Sequence, residues 1–515
     1  MNILNQPWKE LFDLPDFGKV KEEDFLPALT EAISLATQNL EKIASTTASP
    51  NFYNTIEPLE IFDEMLSRLS ALFFNLTSSN SNDKLEQIQV EFVTRVSTFY
   101  SKVLMNKKIF SRLEMLHDFA VAENLTLTME QKRVLDLYRA DYIRAGVKLS
   151  ENDQLKITRI TARLAELGAE FSQNILAEER FWELELSEKD LEGLSDDLTL
   201  ILRQLGSERG YSSPVLTLSR SHLVPFLESS SRRDLRKKVH TAWISRCSNN
   251  NENNNFEIIQ EIILLRKDRA KLLGFENFSE LKLENEMAEN SKNVKRFLKN
   301  IWRYAHSKAL EELEDVKKVM KNEQIDGPVM PWDWRYYQAK VKKQRFDFVS
   351  EDLKPFFELN SIIEAAFFVA SKLFDLEFNT IPYVGYHPDV RTWQVTRKGK
   401  HVGVFIGDYF ARDGKRSGAW CSSLRSQSRT VKVVTPIVIN VCNFAKPPPN
   451  EEALLSFDDA TTLFHEFGHA LHNLLSNVTY DRISGTSVAR DFVELPSQLY
   501  EHWLLTPQVI RKFAV

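Results

Sequence analysis

Two histidines separated by four positions, with a glutamate directly after the first, could bind a metal ion and move protons. They are His465, Glu466 and His469 in the pentapeptide HEFGH. On an α-helix, residues four apart differ by about 40° in azimuth and lie about 6 Å apart along the axis, so both imidazoles can approach one ion. Zinc suits two neutral imidazole nitrogens and leaves a position open for water. Glu466 is placed to take the proton of that water as it attacks a carbonyl, and to pass the proton to the leaving amine.

A catalytic zinc site needs a third protein ligand, and several residues compete for this role. His472 is too far along a straight helix from His465 to share its ion, and Leu475 occupies the position where a metzincin would have its third histidine. The remaining candidates are the carboxylates that follow the helix, namely Asp481, Asp491, Glu494 and Glu501. Glu494 is favoured because its neighbours are apolar and an unpaired carboxylate would be costly to bury there.

The elements around HEFGH predict how these residues are positioned. Ser456 and Asp459 have the spacing of a capping box at a helix start, and apolar residues surround the two histidines, which disfavours a coincidental surface pair. Asp458 and Asp459 are expected to stabilise the amino terminus of this helix, and a hydrogen bond from a metal ligand to Asp458 is the alternative. A hairpin over 392–406, turning at Lys398 and Gly399, and a β-rich run over 431–441 precede this helix, followed by a turn over 446–450. A small sheet is therefore expected next to the helix.

Most of the remaining sequence has helical periodicity. Apolar residues recur every three or four positions over 85–105, 152–179, 256–273, 294–320 and 362–374, and only 16 Gly and 18 Pro occur in 515 residues. We expect a mainly α fold with three regions: an N-terminal helical region over 1–150, a helical lobe over 151–330, and a catalytic region over 331–515.

The composition excludes several functional classes. A net charge of −6 argues against nucleic acid or an anionic membrane as the main partner. Three widely spaced cysteines indicate neither a disulfide framework nor a thiolate zinc site. The chain has no apolar signal region and no apolar run long enough to span a membrane, so we expect a cytoplasmic protein.

Several longer blocks resemble one family. The motif HEFGH, followed 25 residues after its second histidine by Glu494 in DFVELPSQ, is similar to the thimet-oligopeptidase family of zinc peptidases, a group of gluzincins. The resemblance continues in order through ILLRKDRAKLLGF (263–275), PWDWRYY (331–337), YHPDVRTWQV (386–395), GDYFARDGKRSGAW (407–420), NVCNFAKP (440–447) and LLSFDDATTLFHEFGHALH (454–472). The blocks RDGKRSGAW, NVCNF and RDFVELPSQLYEHW look more like the bacterial peptidyl-dipeptidase branch.

The resemblance implies a zinc ion bound by His465, His469 and Glu494, with Glu466 as the general base. It also implies an elongated, two-lobed helical fold with a deep channel, which the segment Gly414–Trp420 would line as a strand. A monomer acting on short or unstructured peptides is expected, releasing C-terminal dipeptides. The alternatives are an endo-acting oligopeptidase and an inactive zinc- and peptide-binding remnant. Family members continue beyond the DFVELPSQ block, so the chain is expected to be truncated and its activity impaired.

Overall fold

The computed structural model describes residues 2–122, 127–346, 350–447 and 451–514. The chain forms two compact units, one made of residues 1–148 and 350–515, the other of residues 149–349. The expected mainly helical fold with a small sheet is confirmed. Part of the expected turn over 446–450 lies outside the described residues, which omit 448–450.

The first unit begins with helices packed around a core of aromatic and aliphatic side chains. Phe25, Phe73 and Phe92 are fully buried in this core, and the rings of Phe73 and Phe92 stack with centroids 3.9 Å apart. The helices are α1 (Phe25–Ala44), α2 (Glu57–Ile61), α3 (Glu64–Ser79), α4 (Asp83–Leu104), α5 (Lys107–Ala122) and α6 (Met129–Ala145).

The second unit is helical apart from one short antiparallel strand pair. Its elements are α7 (Glu151–Phe181), β1 (Glu183–Glu185), α8 (Asp196–Glu208), β2 (Val215–Thr217), α9 (Arg220–Ser229), α10 (Arg233–Ile244), α11 (Phe256–Leu272), α12 (Phe278–Leu283), α13 (Ser291–Asn322) and α14 (Pro331–Phe346). The helices predicted over 152–179, 256–273 and 294–320 correspond to α7, α11 and α13.

The rest of the first unit contains a five-stranded sheet in the order β3-β4-β5-β7-β6. Only β5 and β7 pair in parallel, and the hairpin predicted over 392–406 is the β4–β5 pair. The strands are β3 (Leu376–Thr380), β4 (Arg391–Arg397), β5 (Lys400–Phe410), β6 (Trp420–Arg425) and β7 (Ile437–Phe444). The helices are α15 (Leu359–Phe374), α16 (Phe457–Leu474), α17 (Glu494–Leu504) and α18 (Pro507–Phe513).

Two strand predictions need correction. The segment Gly414–Trp420 is a loop up to residue 419 because Gly414 and Gly418 both have positive φ, which interrupts an extended strand. The edge strand β6 begins only at Trp420. The run over 431–441 becomes a strand only from Ile437, since Val431 and Val433 are exposed and Pro436 cannot donate a ladder hydrogen bond.

Residues 1–148 belong to the same unit as the sheet because backbone hydrogen bonds connect them across the sequence. Ser81 N donates to Gly414 O at 2.6 Å, and Arg416 N donates to Ser78 O at 2.8 Å. A Cβ on Gly414 would lie 2.3 Å from the carbonyl oxygen of Ser81, so this close approach requires glycine. The α3–α4 connection is thereby attached to the loop before β6.

Among the described helices, none is both long enough and apolar enough to cross a lipid bilayer. The three cysteines, Cys247, Cys421 and Cys442, are all free thiols.

Candidate metal centre

Helix α16 carries HEFGH and is fixed at its start by the predicted capping box. Ser456 Oγ accepts a hydrogen bond from Asp459 N at 3.0 Å, and the Asp459 carboxylate accepts one from Ser456 N at 3.1 Å. The helix packs on β5, β6 and β7 and on α15. Phe467 inserts toward the sheet and makes an edge contact with the Phe405 ring, with centroids 5.1 Å apart. This packing fixes the rotation of α16 and so the direction of both histidines.

Helix α17 approaches α16 closely at a glycine. A Cβ on Gly468 would lie 2.7 Å from Ser497 Cα and 3.0 Å from Tyr500 Cβ, so only glycine fits without displacement. Tyr500 is buried, and its hydroxyl donates to the Ala366 carbonyl oxygen on α15 at 2.7 Å. These contacts place the first residue of α17, Glu494, next to the two histidines.

The structure brings together the three residues that the sequence predicts as metal ligands. Glu494 Oε2 lies 3.2 Å from His465 Nε2 and 3.1 Å from His469 Nε2. The rings of His465 and His469 are nearly perpendicular, with centroids 4.9 Å apart. Within the described ranges, these three residues form a group whose potential ligand atoms all lie within 4.8 Å of one another. Two imidazole nitrogens and one carboxylate oxygen are a donor set that zinc accepts.

Two further contacts hold this group in place. Glu501, one of the alternative third ligands, lies about two turns after Glu494 on α17, and its Oε1 is 2.6 Å from His465 Nδ1. The Ser497 hydroxyl donates to Glu494 Oε2 at 3.1 Å. A carboxylate on the second ring nitrogen orients a ligating histidine and fixes which nitrogen faces the metal. Glu501 therefore contacts a predicted ligand instead of joining the ligand group.

Glu466 is buried beside the group, with only 7% of its surface exposed. Burial, together with the negative charge of Glu494, raises the pKa of Glu466 to about 7, while His465 acts in the opposite direction. Cys421 and Cys442, on β6 and β7, are among the groups that interact electrostatically with Glu466. Burial raises the pKa of both thiols, so they are neutral neighbours of the glutamate.

The other carboxylate candidates lie outside the group of potential ligand atoms found among the described residues. Asp481 begins a short 3-10 helix, and burial raises its pKa. Asp491 lies in the turn before α17. Asp458 is exposed in the first turn of α16. The carboxylate that contacts a predicted metal ligand, His465, belongs to Glu501 and not to Asp458.

His472 packs with its ring against Phe492, with centroids 6.4 Å apart. It lies outside the ligand group of the described residues, as its distance along the helix predicts.

The expectation that apolar burial selects Glu494 is wrong. Its side chain is 53% exposed, and the neighbouring Leu495 is 56% exposed, so no apolar burial selects this carboxylate. Its position follows from the contact between α16 and α17. The contact from Glu501 was missed as well, and the glycine inside HEFGH is the sequence feature that could have indicated such a close helix pair.

Comparison with known proteins places the chain in a family. The model of peptidase family M3 matches residues 226–515. Over 97% of this chain and 74% of the relative, the sequence is 33% identical to a dipeptidyl carboxypeptidase of Escherichia coli strain K12. It is 29% identical to oligopeptidase A of the same organism, over 98% of this chain and 76% of the relative.

A crystal structure of a candidate oligoendopeptidase F superimposes with a TM-score of 0.51 and 15% sequence identity. The match covers 95% of this chain and 69% of that chain, and it shows a shared fold.

Proposed function

The chain belongs to peptidase family M3, and on that premise we propose that it hydrolyses short peptides with a zinc ion held by His465, His469 and Glu494. The observation that carries this proposal is the position of Glu494 Oε2, 3.2 and 3.1 Å from the two Nε2 atoms. Two imidazole nitrogens and one carboxylate oxygen that converge in this way form the donor set of a three-ligand zinc site.

The three side chains fit zinc by the chemistry of their donor atoms, and zinc supplies Lewis acidity that polarises the scissile carbonyl and makes water a better nucleophile. Glu501 holds the His465 ring through Nδ1, which leaves Nε2 facing Glu494 Oε2, where it would serve as a zinc ligand. The Ser497 hydroxyl donates to the same carboxylate oxygen, Glu494 Oε2, and so restricts this side chain. These contacts limit the movement of the ligands during turnover.

Glu466 is proposed as the general base. It follows His465 directly and is buried on the face of α16 that packs toward β6 and β7. Its carboxylate accepts a proton from the attacking water and returns it to the nitrogen of the leaving amine, so that the glutamate is regenerated after each cleavage.

Release of C-terminal dipeptides is the finer part of the proposal. Support comes from 33% identity to a protein named dipeptidyl carboxypeptidase, against 29% to oligopeptidase A. The two activities differ in whether the substrate needs a free C-terminal carboxylate. A peptide and its C-terminally amidated form, digested in parallel, distinguish them by the products. Equal cleavage of both peptides would favour an endo-acting oligopeptidase.

Short or unstructured peptides are the proposed substrates, and the protein is proposed to act as a monomer. The free thiols of Cys247, Cys421 and Cys442 support a reducing compartment, so a cytoplasmic location is proposed.

The proposed catalytic role is tested by the substitution Glu466→Gln. The variant should bind zinc as the wild type does and lose about 10²- to 10⁴-fold in turnover, the usual contribution of a general base. Glu452→Gln is the matched control, since Glu452 is exposed before α16 and should not affect turnover. Undiminished hydrolysis by Glu466→Gln would remove Glu466 from this role. Bound zinc without any turnover in the wild type would favour the zinc- and peptide-binding remnant.

A further inference from the structure

The N-terminal half of α13 is exposed on all sides. Every residue from 295 to 311 is exposed, which corresponds to about 25 Å of helix. The only buried side chains of α13 lie near its C-terminal end, at Val316, Val319 and Met320. Most of the stability of a helix in a protein comes from tertiary packing of its apolar face, and a helix without such packing is normally polar all round.

This part of α13 is not polar all round. At 100° per residue, one side of the helix carries a row of apolar side chains, which we call the α13 stripe. Phe297 is 64% exposed and Trp302 is 68% exposed, values that leave most of each ring in contact with solvent. The α13 stripe consists of Phe297, Leu298, Ile301, Trp302, Ala305 and Ala309.

The stripe continues a face that is already used for packing. Val316, Val319 and Met320 fall on the same side of the helix, and there they form a core with Tyr336 and Tyr337 of α14. The same face is therefore buried against a helix at one end of α13 and bare at the other. Ala305 and Ala309 provide small side chains between the large ones, which lets a second helix come close.

The charges on this half of α13 have one sign. Residues 291–310 contain no Asp or Glu, although the whole chain is net negative. By helical spacing, Lys295 borders the stripe on one side, while Lys308 falls close to the Phe297 edge of the stripe and pairs with Glu311 at 3.0 Å. The other four basic residues lie on the opposite face. The six basic residues are Lys292, Lys295, Arg296, Lys299, Arg303 and Lys308.

We propose that the α13 stripe is a docking surface for a helical polypeptide segment whose apolar face is flanked by acidic side chains. Contiguous exposed apolar surface on a soluble domain marks an interaction site, and Lys295 is placed at its edge to pair with a carboxylate beside the apolar contact. The absence of Asp and Glu over 291–310 makes the surroundings of the stripe basic, which favours an acidic partner. Continuity with the face packed on α14 favours a helix as the occupant.

The test uses the full chain and a synthetic probe, a roughly 21-residue peptide with Leu at heptad positions a and d and Glu at e and g. Binding should slow amide hydrogen exchange over 295–311. A peptide with Lys in place of each Glu should bind at least about tenfold more weakly. Trp302→Ser should weaken binding by roughly 30-fold, as loss of an aromatic anchor does. Leu310→Ser is the matched control, because Leu310 is half exposed on the same helix but lies off the stripe.

Three results would overturn the proposal. One is that the acidic peptide leaves hydrogen exchange over 295–311 unchanged. Another is that Trp302→Ser and Leu310→Ser weaken binding equally. The third is protection of 295–311 by phosphatidylglycerol vesicles without protection by either peptide, which would assign the stripe to an anionic lipid surface. Both substituted side chains are exposed, so the variants should fold, and circular dichroism checks this.

Discussion

Gly468 on α16 and Ser497 on α17 lie so close together that a Cβ on the glycine would be 2.7 Å from the serine Cα. The contact sets the distance between the helix that carries both histidines and the helix that begins with Glu494. Since Glu494 lies only three residues before Ser497, any separation of the helices moves its carboxylate away from the histidines. The geometry of the candidate metal centre thus depends on Gly468, a residue that is not itself a predicted metal ligand.

Gly468→Ala should weaken zinc binding and lower stability. The added methyl group must displace α17, because two of its three nearest atoms belong to the α17 backbone. Overpacking of this kind costs about 1–3 kcal/mol. We expect at least a tenfold rise in the zinc dissociation constant, measured by competition with a chromophoric chelator, and a lower thermal midpoint.

The matched control for this variant is Gly168→Ala. Gly168 lies inside α7, and an added Cβ meets no atom within 4 Å. Alanine there should raise stability by up to about 1 kcal/mol through helix propensity and leave zinc binding unchanged. Wild-type zinc affinity in Gly468→Ala would show that the close approach of α16 and α17 does not position the ligands.

Glu501→Ala should reduce zinc affinity about 10- to 100-fold, because the His465 ring loses the carboxylate that contacts its Nδ1 atom at 2.6 Å. The measurement is zinc competition at constant pH and ionic strength. His502→Gln, on the same helix and exposed, serves as the control and should bind zinc normally. If both variants bind zinc alike, Glu501 has no part in orienting His465.

Asp408→Asn should strongly destabilise the first unit. Asp408 is fully buried and accepts hydrogen bonds from Arg412 at 2.7 Å, Lys415 at 2.9 Å and the Tyr386 hydroxyl at 2.8 Å. Removing its charge leaves two cations in a buried site, at a cost of about 3–5 kcal/mol. The urea midpoint measures this loss. Asp375→Asn breaks only an exposed pair with Lys398 and should cost at most about 1 kcal/mol.

The stabilisation by Asp408 should disappear in acid. Burial by itself would raise the pKa of Asp408, but hydrogen bonds from Arg412 and Lys415 outweigh it and lower this pKa below the ordinary 3.8. Because the folded-state pKa is the lower one, the stabilisation is complete above the unfolded pKa and is lost as pH falls through the folded value. The difference in urea midpoint between wild type and Asp408→Asn should therefore be constant near neutral pH and shrink below about pH 4. A difference independent of pH would contradict an ionic role.

Local patterns in the sequence predicted the elements of the site well. The capping box of Ser456 and Asp459 and the apolar residues around HEFGH were sufficient to place α16, because helix starts and amphipathic faces depend on neighbouring residues. The β4–β5 hairpin followed from alternation around Lys398 and Gly399 in the same way. Both features depend on contacts between residues close in sequence.

Features that depend on distant contacts were not predictable. The contact of Glu501 with His465 depends on the rotation of α17, which is set by packing at Gly468 and Tyr500. The segment 414–419 was predicted to be a strand. It is a loop because its positive-φ glycines adapt it to residues 78–81, a contact with residues more than 300 positions earlier that the local sequence does not indicate. The net charge of the whole chain is negative, and it therefore gave no indication that the N-terminal half of α13 is basic.

Metal titration of purified wild-type protein and of Glu494→Ala tests the central claim most directly. The wild type is expected to bind one zinc ion per chain tightly. Loss of one of three ligands should weaken that binding by at least about 100-fold, while circular dichroism stays unchanged because the Glu494 side chain is half exposed. Equal zinc affinity in the two proteins, or no stoichiometric zinc in the wild type, would contradict a site built from His465, His469 and Glu494.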